Sequence, residues 1–275
     1  MKKTFVLLVV IALVFSLFGC SNKPTESDDK TIIVSATLDP HAKILEFAKG
    51  ILAEQGYTLE IEVIDDYYVH NKVLDDGETD ANYFQHVPFF NDEVASNGYA
   101  IVNVAGIHIE PFGFYSKSIS SIEEITDGAT VIISNSVSDH GRILAILADA
   151  GVITLKDGVT ALNATKADIV SNPKNLVFEE VKPELLAAMY EENQGQLVAI
   201  NGNYAIQTGL NPTTDAVILE SAGQDNPYVN IVACQKGQEN SDKIKALVDV
   251  LTSEEVRQFI LDTYSNGAVI PAETE

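Results

Sequence analysis

The clearest structural signal in this chain is the stretch TIIVSATLDPHAKILEFAKGILAEQGYTLEIEVI, residues 31–64. Its two ends, residues 31–37 and 58–64, are rich in β-branched and apolar residues and predict two buried strands. Between them, apolar residues recur at the spacing of one helical face, at Ile44, Phe47, Ala48, Ile51 and Leu52. We expect this helix to begin at Asp39-Pro40, with an acidic N-cap followed by a proline. A strand, a helix and a strand in succession predict a right-handed βαβ unit on a parallel sheet.

Beyond this unit the chain continues with further strands and helices in two series. Helices are expected at residues 71–75 and at residues 142–150, the latter after the polar turn 135–141. Residues 109–115 are interpreted as a crossing into a second lobe, and residues 226–230 as the return crossing. The expected lobes are residues 31–113 plus 228–275 (lobe 1) and residues 114–227 (lobe 2). The sequence therefore predicts an α/β protein with a cleft between two lobes, which suits hinge closure around a ligand.

The N-terminal residues are expected to be a targeting signal and not part of the globular domain. Lys2-Lys3 is followed by an apolar run at residues 4–18. This run is shorter than a typical transmembrane helix. It therefore predicts a signal peptide, residues 1–19. The next residues, Leu17-Phe18-Gly19-Cys20, resemble a bacterial lipobox, in which the cysteine is lipidated. The alternative is a plain signal peptide cut nearby. Residues 20–30 would then be a linker to a lipid anchor on the extracytoplasmic face of the cell membrane.

The net charge excludes one class of binding partner, and the number of cysteines excludes an internal disulfide. Removal of Lys2 and Lys3 leaves 15 basic against 40 acidic residues, a net charge of −25. Such a surface repels nucleic acid and anionic headgroups, so we expect no nucleic-acid partner. Because Cys20 is assigned to the lipid, Cys234 has no disulfide partner, and its apolar surroundings predict an inert core residue.

The sequence contains no recognisable catalytic or metal-binding motif. The five histidines are not spaced as in a helical zinc motif, and His108-Ile-Glu110 is only a strand alternation. A Gly-x-Ser-x-Gly elbow, a phosphate-binding glycine loop and a dinucleotide fingerprint are also lacking. We therefore predict no enzymatic activity, no cofactor and no metal site.

One candidate for a ligand-binding segment is DANYFQHVPF, residues 80–89. Proline is tolerated in the first turn of a helix and disfavours a helical conformation for the residue before it. We therefore expect extended chain up to Val87 and a helix from Pro88. In extended chain, alternate side chains share a face, which places Phe84 and His86 together. They either line a small-molecule site, or Phe84 packs in the core while His86 caps a backbone group.

A second candidate is Arg142, which we expect at the N-terminus of a helix. Free backbone N–H groups and the helix dipole already favour an anion at such a position. A cation is mildly unfavourable there, so a carboxylate partner would explain its presence. The alternative is a solvated residue of the first turn.

Several segments occur in the order found in one protein family. These segments are Cys20, SATLDPHAKILE (35–46), DANYFQHVP (80–88), HIEP (108–111), YSK (115–117), NGNYA (201–205), GLNP (209–212) and GAVIP (267–271). Together they closely resemble the methionine-binding lipoproteins (NlpA family) of bacterial ABC importers. The resemblance implies a two-lobed periplasmic-binding-protein fold of type II, with mixed sheets flanked by helices and two crossover strands as the hinge. It also implies delivery of methionine, or a related amino acid, to permease and ATPase subunits.

The resemblance also implies a set of ligand-binding residues. Carried over residue by residue, they are Tyr67, Phe84, His86, Phe89, Arg142, Asn201, Asn203 and Asn230. Arg142 would donate two hydrogen bonds to the carboxylate of the ligand. Asparagine carbonyls would accept hydrogen bonds from the ammonium group of the ligand, and aromatic rings would surround the thioether of the ligand. Phe89 departs from the family, which usually has tyrosine at this position.

Three alternatives to methionine capture stay open at this point. The first is a binding lipoprotein for another small amino acid or for a methionyl dipeptide. The second is a metal-binding lipoprotein, and the third is a surface lipoprotein used for adhesion or scaffolding.

Overall fold

The computed structural model describes residues 30–221 and 226–273. The predicted signal peptide, Cys20 and almost all of the predicted linker lie outside the described residues. No helix within the described ranges has the length and apolar character needed to cross a membrane.

The strands follow one another along the chain from residue 31 to residue 271. They are β1 (Thr31–Ala36), β2 (Thr58–Val63), β3 (Ala81–His86), β4 (Ile101–Ile109), β5 (Gly113–Tyr115), β6 (Thr130–Ser134), β7 (Thr154–Leu155), β8 (Ile169–Ser171), β9 (Val177–Val181), β10 (Leu197–Ile200), β11 (Ile218–Leu219), β12 (Val229–Gln235) and β13 (Ile270–Pro271). The short strands β7, β8 and β13 were not predicted from the sequence.

The α-helices are α1 (Lys43–Glu54), α2 (Tyr67–Asp75), α3 (Val87–Asn97), α4 (Val137–Asp149), α5 (Leu186–Glu191), α6 (Gly202–Gln207), α7 (Pro212–Asp215), α8 (Asp242–Leu251) and α9 (Glu254–Thr263). Single turns of other helical types occur at Leu38–Ala42, Ile122–Glu124, Lys166–Asp168 and Pro183–Leu185. Gly98 ends α3 in the left-handed conformation, with φ of 73°, as glycine does at many helix C-termini.

The strands form two main sheets and one small one. The first sheet has the order β13-β4-β12-β3-β1-β2, the second has the order β11-β5-β10-β6-β9, and β7 pairs with β8. β1 is parallel to β2 and to β3, whereas β12 is antiparallel to β3 and β4. The predicted parallel βαβ unit, β1-α1-β2, is therefore confirmed, and the first sheet is mixed.

The chain passes between the two main sheets twice. It leaves the first sheet at the end of β4 and enters the second at β5, and it returns between β11 and β12. Each sheet has its own apolar cluster, and a third cluster, which includes Phe84 from β3 and Ile132 from β6, contains residues of both sheets. The exact lobe boundaries, at residues 113/114 and 227/228, stay a prediction.

The predicted start of the first helix was wrong. α1 begins at Lys43, and the preceding turn Leu38–Ala42 contains Asp39 in an extended conformation, with φ of −139° and ψ of 127°. Because of this conformation, Asp39 does not cap the helix. Its carboxylate instead accepts hydrogen bonds from the hydroxyl of Tyr264 and from Lys43.

Two further helices begin earlier than predicted. α2 starts at Tyr67 instead of residue 71, because the Asp66 carboxylate accepts the backbone N–H of Tyr68 at 2.9 Å and caps the helix. α4 starts at Val137 instead of Arg142, and Gly141 lies within it rather than in a turn. A Cβ at Gly141 would be 2.2 Å from the carbonyl oxygen of Ala161, so glycine is needed here for close packing and not for a bend.

Candidate ligand-binding site

All eight predicted ligand-binding residues border a single cavity between the two sheets. Its walls are Tyr67, Phe84, Gln85, His86, Phe89, Glu110, Asp139, Arg142, Asn201, Gly202, Asn203 and Asn230. The volume in which the centre of a water molecule fits is about 20 Å³, whereas a protein cavity that binds benzene measures about 150 Å³. An amino acid therefore enters only if the walls move apart.

One wall of the cavity is made of aromatic rings. Tyr67 opens α2, Phe84 lies on β3 and Phe89 lies in the first turn of α3. Their three ring centroids are each 5.9 Å apart, at angles of 48–83°. Because Tyr67, Phe84 and Phe89 are all buried, this wall is suited to an apolar side chain.

His86 both lines the cavity and caps a backbone group, which were the two alternatives predicted from the sequence. Its Nδ1 accepts the backbone N–H of Phe89 at 3.1 Å and so caps α3. An imidazole that accepts at Nδ1 carries its proton on Nε2, which donates to the Asp139 carboxylate at 3.1 Å. The residue thus lines the cavity and also fixes the start of the helix that carries Phe89.

Asp139 was missed by the sequence analysis because residues 135–141 were interpreted as a turn. It lies in the first turn of α4 and is 2% exposed. Burial alone would raise the pKa of Asp139, but the hydrogen bond from His86, with the charge of Arg142 and the amide of Asn201, brings it below its ordinary value. Asp139 is therefore an ionised carboxylate within the wall of the cavity.

Asn201 and Asn203, at the start of α6, each leave one polar atom without a partner. The Asn201 amide donates to Asp139 at 3.3 Å, and the Asn203 carbonyl accepts the Tyr67 hydroxyl at 2.5 Å. Asn201 Oδ1 and Asn203 Nδ2 are buried and have no partner among the described residues. A buried unsatisfied polar atom costs about 1–3 kcal/mol. A ligand that pairs with the Asn201 acceptor and the Asn203 donor would remove this cost.

Glu110 was also missed, and it lies just beyond the end of β4. Its Oε1 accepts the Nε2 proton of His108 at 2.8 Å and lies 3.5 Å from His41 Nε2. Burial raises the pKa of Glu110 above its ordinary value, although His41, the backbone N–H of Asn203 and Arg142 oppose the rise. Gly202 permits this approach, because a Cβ there would be 2.6 Å from the Cβ of Glu110.

The two histidines behind Glu110 are uncharged at neutral pH. Burial lowers the pKa of His41 to about 4 and that of His108 to about 3. His41 contacts Asn230 Oδ1 at 3.0 Å, which connects it to the cavity wall, and His108 accepts the Tyr83 hydroxyl at 2.5 Å. A histidine alternating with a glutamate at a strand end, His108-Ile-Glu110, was the only sequence signal of this group.

One group of residues in the described part of the chain has the donor atoms for a metal ion. The nitrogens of His41 and His108 and an oxygen of Glu110 all lie within 4.8 Å of one another. Two imidazoles and a carboxylate are a known zinc ligand set, but here their hydrogen bonds are satisfied by one another and by neighbouring polar groups. The predicted absence of a metal site stays a prediction.

The structure corrects the predicted setting of Arg142. It is not at a helix N-terminus but in the second turn of α4, and it is 3% exposed, so the solvated alternative was wrong as well. Its Nε and Nη2 donate to the two oxygens of Glu220 at 2.8 and 2.5 Å, and Nη2 also donates to the carbonyl of Glu110 at 2.8 Å. The guanidinium lies 4.2 Å from the ring centre of Tyr228.

The predicted carboxylate partner of Arg142 is thus present within the protein. Burial alone would lower the pKa of Arg142, but the charge and hydrogen bonds of Glu220 raise it above its ordinary value. The fork that was predicted to hold a ligand carboxylate lies on Glu220. A sequence separation of 78 residues hides this pair from any local pattern.

Comparisons with known proteins identify the family. The model of the NlpA lipoprotein family matches residues 32–273. The chain is 50% identical to the methionine-binding lipoprotein MetQ of Bacillus subtilis, over 98% of this chain and 99% of the relative. A nutrient-binding protein of Burkholderia cenocepacia, solved bound to methionine, has a TM-score of 0.81 and 32% identity over 88% of this chain and 100% of its own.

A third comparison concerns the fold. The periplasmic substrate-binding protein of an ABC transporter from Coxiella burnetii has a TM-score of 0.80 and 34% identity, over 88% of this chain and 100% of its own. The predicted periplasmic-binding-protein fold and the resemblance noted in the sequence are both confirmed. This chain belongs to the NlpA lipoprotein family.

Proposed function

We propose that this protein is a lipid-anchored substrate-binding protein that captures methionine outside the cytoplasm and delivers it to an ABC transporter. The support from relatives is that one is named a methionine-binding lipoprotein, one was solved with methionine and one serves an ABC transporter. The observation that carries the proposal is the cavity itself. It combines a wall of rings with a buried acceptor and a buried donor that have no partner among the described residues.

The ring wall would hold the methionine side chain. A thioether gains about 0.3–1.5 kcal/mol from each sulfur–aromatic contact, and three rings, Tyr67, Phe84 and Phe89, face the cavity. Burial of the side chain contributes roughly a further 1.5–3 kcal/mol. A shorter or a charged side chain would lose one or both contributions.

The polar wall would hold the backbone atoms of the amino acid. Asn201 Oδ1 and the Glu110 carboxylate are acceptors for its ammonium group, and Asn230 adds a further polar contact. Asn203 Nδ2 and the guanidinium of Arg142 are donors for its carboxyl end. His86 would act on the ligand mainly through Asp139 and through the helix start that carries Phe89.

Release and uptake would require the two sides of the cavity to separate. In this structure the Tyr67 hydroxyl bonds to Asn203, His86 bonds to Asp139, and the Tyr204 hydroxyl donates to the Asp65 carbonyl at 2.7 Å. Each of these bonds joins the first sheet, or a segment that follows one of its strands, to a helix that follows a strand of the second sheet. The small cavity volume fits the same closed arrangement, and hinge motion would alternate it with an open one.

Membership of the family supports a proposal for the cellular setting. Anchoring through Cys20, an extracytoplasmic location and partnership with permease and ATPase subunits are part of this proposal, as is the absence of enzymatic activity. None of the proposed contacts requires a covalent step, a cofactor or a metal ion.

A thermal-shift comparison of the purified protein tests the proposal. A ligand that binds only the folded state raises the midpoint of unfolding in proportion to the logarithm of its concentration over Kd. We expect methionine to give a larger shift than leucine or glutamine at equal concentration. A larger shift with another amino acid or with a methionyl dipeptide would reassign the ligand, and stabilisation by zinc alone would favour the metal-binding alternative.

A further inference from the structure

A fully buried histidine lies behind the ring wall formed by Tyr67, Phe84 and Phe89. His70 is 0% exposed and is not one of the described residues that line the cavity. Its imidazole stacks on the ring of Phe84, with the ring centroids 3.9 Å apart and the planes 12° from parallel. The rings of the wall itself are 5.9 Å apart and tilted. Phe84 is therefore in closer contact with the histidine behind it than with the rings beside it.

Both ring nitrogens of His70 are hydrogen-bonded. Nε2 lies 3.2 Å from the carbonyl oxygen of Ile64, which can only accept, so Nε2 carries a proton. Burial lowers the pKa of His70 to about 3, so the imidazole is neutral and its Nδ1 accepts the hydroxyl of Ser35 at 3.0 Å. A ring that is bonded at both nitrogens cannot rotate about its Cβ–Cγ bond without breaking these bonds. The plane of the imidazole is thus fixed by β1 and by the end of β2.

His70 belongs to the helix that carries Tyr67. The two residues are three positions apart on α2, so they lie on the same side of the helix. The next residue, Asn71, exchanges hydrogen bonds of 2.7 and 2.8 Å with Gln85 and accepts the amide of Asn82 at 2.9 Å. Both partners lie on β3. The helix and the strand that supply two rings of the wall are therefore joined by buried polar contacts.

The stack restricts the ring of Phe84. A phenylalanine ring otherwise turns easily about its Cβ–Cγ bond, because this torsion has a broad energy minimum. With a fixed imidazole in contact with one face, a turn of the Phe84 ring would bring its edge into the imidazole. The ring wall therefore has one shape before a ligand arrives. A preformed wall lowers the cost of ordering for a side chain that fits it, and it opposes a side chain that needs the ring to move.

We propose that His70 is a positioning residue that determines side-chain specificity. Through its stack on Phe84, it holds the ring wall in a shape that accepts the unbranched thioether chain of methionine and disfavours branched apolar side chains. This inference rests on the proposed function of the same cavity. His70 acts through Phe84 and does not itself touch the ligand.

The ratio of the Kd for L-leucine to the Kd for L-methionine tests this role. It is measured by calorimetric titration of the full-length protein with methionine, alone and in the presence of leucine as a competitor. His70→Leu keeps an apolar side chain of similar size but removes the flat ring and both of its hydrogen bonds. We expect the ratio to fall by about tenfold, which is the scale on which an apolar pocket discriminates one methylene group. Methionine loses the preformed wall, and leucine no longer has to displace a fixed ring.

A second variant tests the hydrogen bonds that fix the imidazole. Ser35→Ala keeps His70 and removes one of its two bonds, so the ratio should fall by about threefold, in line with the net value of one hydrogen bond. The matched control is Ser253→Ala, the same substitution at the N-cap of α9, where Ser253 accepts the backbone N–H of Val256. This control should lower the stability by about 1 kcal/mol and leave the ratio unchanged. If His70→Leu does not fold, Ser35→Ala decides against this control.

The outcomes separate this inference from the proposed function. If methionine binds the unmodified protein but the ratio is unchanged in folded His70→Leu, the inference is overturned and the proposed function stands. A fall of the same size in Ser253→Ala would also overturn it, because lost stability alone would then explain the change. If neither methionine nor leucine binds the unmodified protein, the proposed function itself is wrong.

Discussion

Two carboxylates border the cavity, and each accepts a hydrogen bond from the Nε2 of a buried or nearly buried histidine. Asp139 accepts from His86 at 3.1 Å and Glu110 accepts from His108 at 2.8 Å. Despite this similar geometry, the pKa of Asp139 is below its ordinary value and that of Glu110 is above it. The contact with histidine alone therefore does not fix the charge of either carboxylate.

The difference lies in the other neighbours of the two groups. Asp139 also receives the Asn201 amide and lies near Arg142, and these contributions together outweigh its burial. Glu110 is surrounded by neutral imidazoles, and its burial outweighs the groups that favour ionisation. Asp139 is thus a structural anion, whereas Glu110 gains most from a positive charge that comes with the ligand.

The largest expected effect concerns three buried histidines, His41 and His108 behind Glu110, and His70, which contacts Ser35 and the Ile64 carbonyl. His41, His70 and His108 have pKa values lowered by burial to about 4, 3 and 3, so they take up protons near pH 5 only after unfolding. When the pH falls below the ordinary pKa of histidine, the unfolded chain takes up protons that the folded protein does not, and the folded protein loses stability. Three protons, partly opposed by Glu110, should lower the free energy of unfolding by about 3 kcal/mol between about pH 6 and pH 5. Urea unfolding at each pH measures it, and a flat profile would mean that these histidines are charged in the folded protein.

The second prediction compares the same chemical change at the two carboxylates. Asp139→Asn places an amide N–H₂ against the donors of His86 and Asn201, and we expect a loss of about 3 kcal/mol in the free energy of unfolding at neutral pH. Glu110→Gln removes a charge that burial disfavours, so its effect should stay below about 1 kcal/mol. Denaturant titration of both variants measures the difference. Equal losses would contradict the contrast between the two sites.

The third prediction reverses this order for ligand binding. Glu110→Gln removes the counter-charge for the ammonium group, so the Kd for methionine should rise by about tenfold, or about 1.4 kcal/mol, in a protein that remains folded. Calorimetric titration measures it. The exposed control Glu60→Gln on β2 should bind as the unmodified protein does. Unchanged affinity in Glu110→Gln would exclude Glu110 from the ammonium site.

The smallest expected effect is the pH dependence of each variant relative to the unmodified protein. A carboxylate with a lowered pKa stabilises the folded protein at pH values above its ordinary pKa and loses that contribution as the pH falls. The deficit in the free energy of unfolding of Asp139→Asn should therefore shrink below about pH 4. A raised pKa has the opposite sign, so Glu110→Gln should gain relative stability as the pH rises above about 4.5. Difference curves from urea unfolding test both signs, and parallel curves would show that the two carboxylates titrate alike.

Much of the fold could be predicted because its signals are local. The β1-α1-β2 unit follows from hydrophobic periodicity over about 35 residues, and the glycines after α1 and α3 mark where those helices end. The start of α4 could not be predicted in this way, because Ser136, Ser138, Asp139 and His140 are as common in turns as in the first turn of a helix. Gly141 resembles a turn residue in the sequence, but in the fold it lies within α4 and packs closely against Ala161.

The site was partly predictable for a different reason. The resemblance to a family supplied eight residues, and all eight border one cavity. It did not supply the state of those residues, because Arg142 is paired with Glu220 and Glu110 with His41 and His108 through contacts between distant segments. Charge balance and burial are properties of the folded protein, and no periodicity in the sequence encodes them.

The most direct test of the account is a crystal structure of the protein bound to methionine. We expect the thioether to lie against Tyr67, Phe84 and Phe89, and the ammonium group to lie within hydrogen-bond distance of Asn201 Oδ1 and Glu110. Methionine bound in the opposite orientation, with its ammonium group towards Arg142, or bound outside this cavity, would contradict the account.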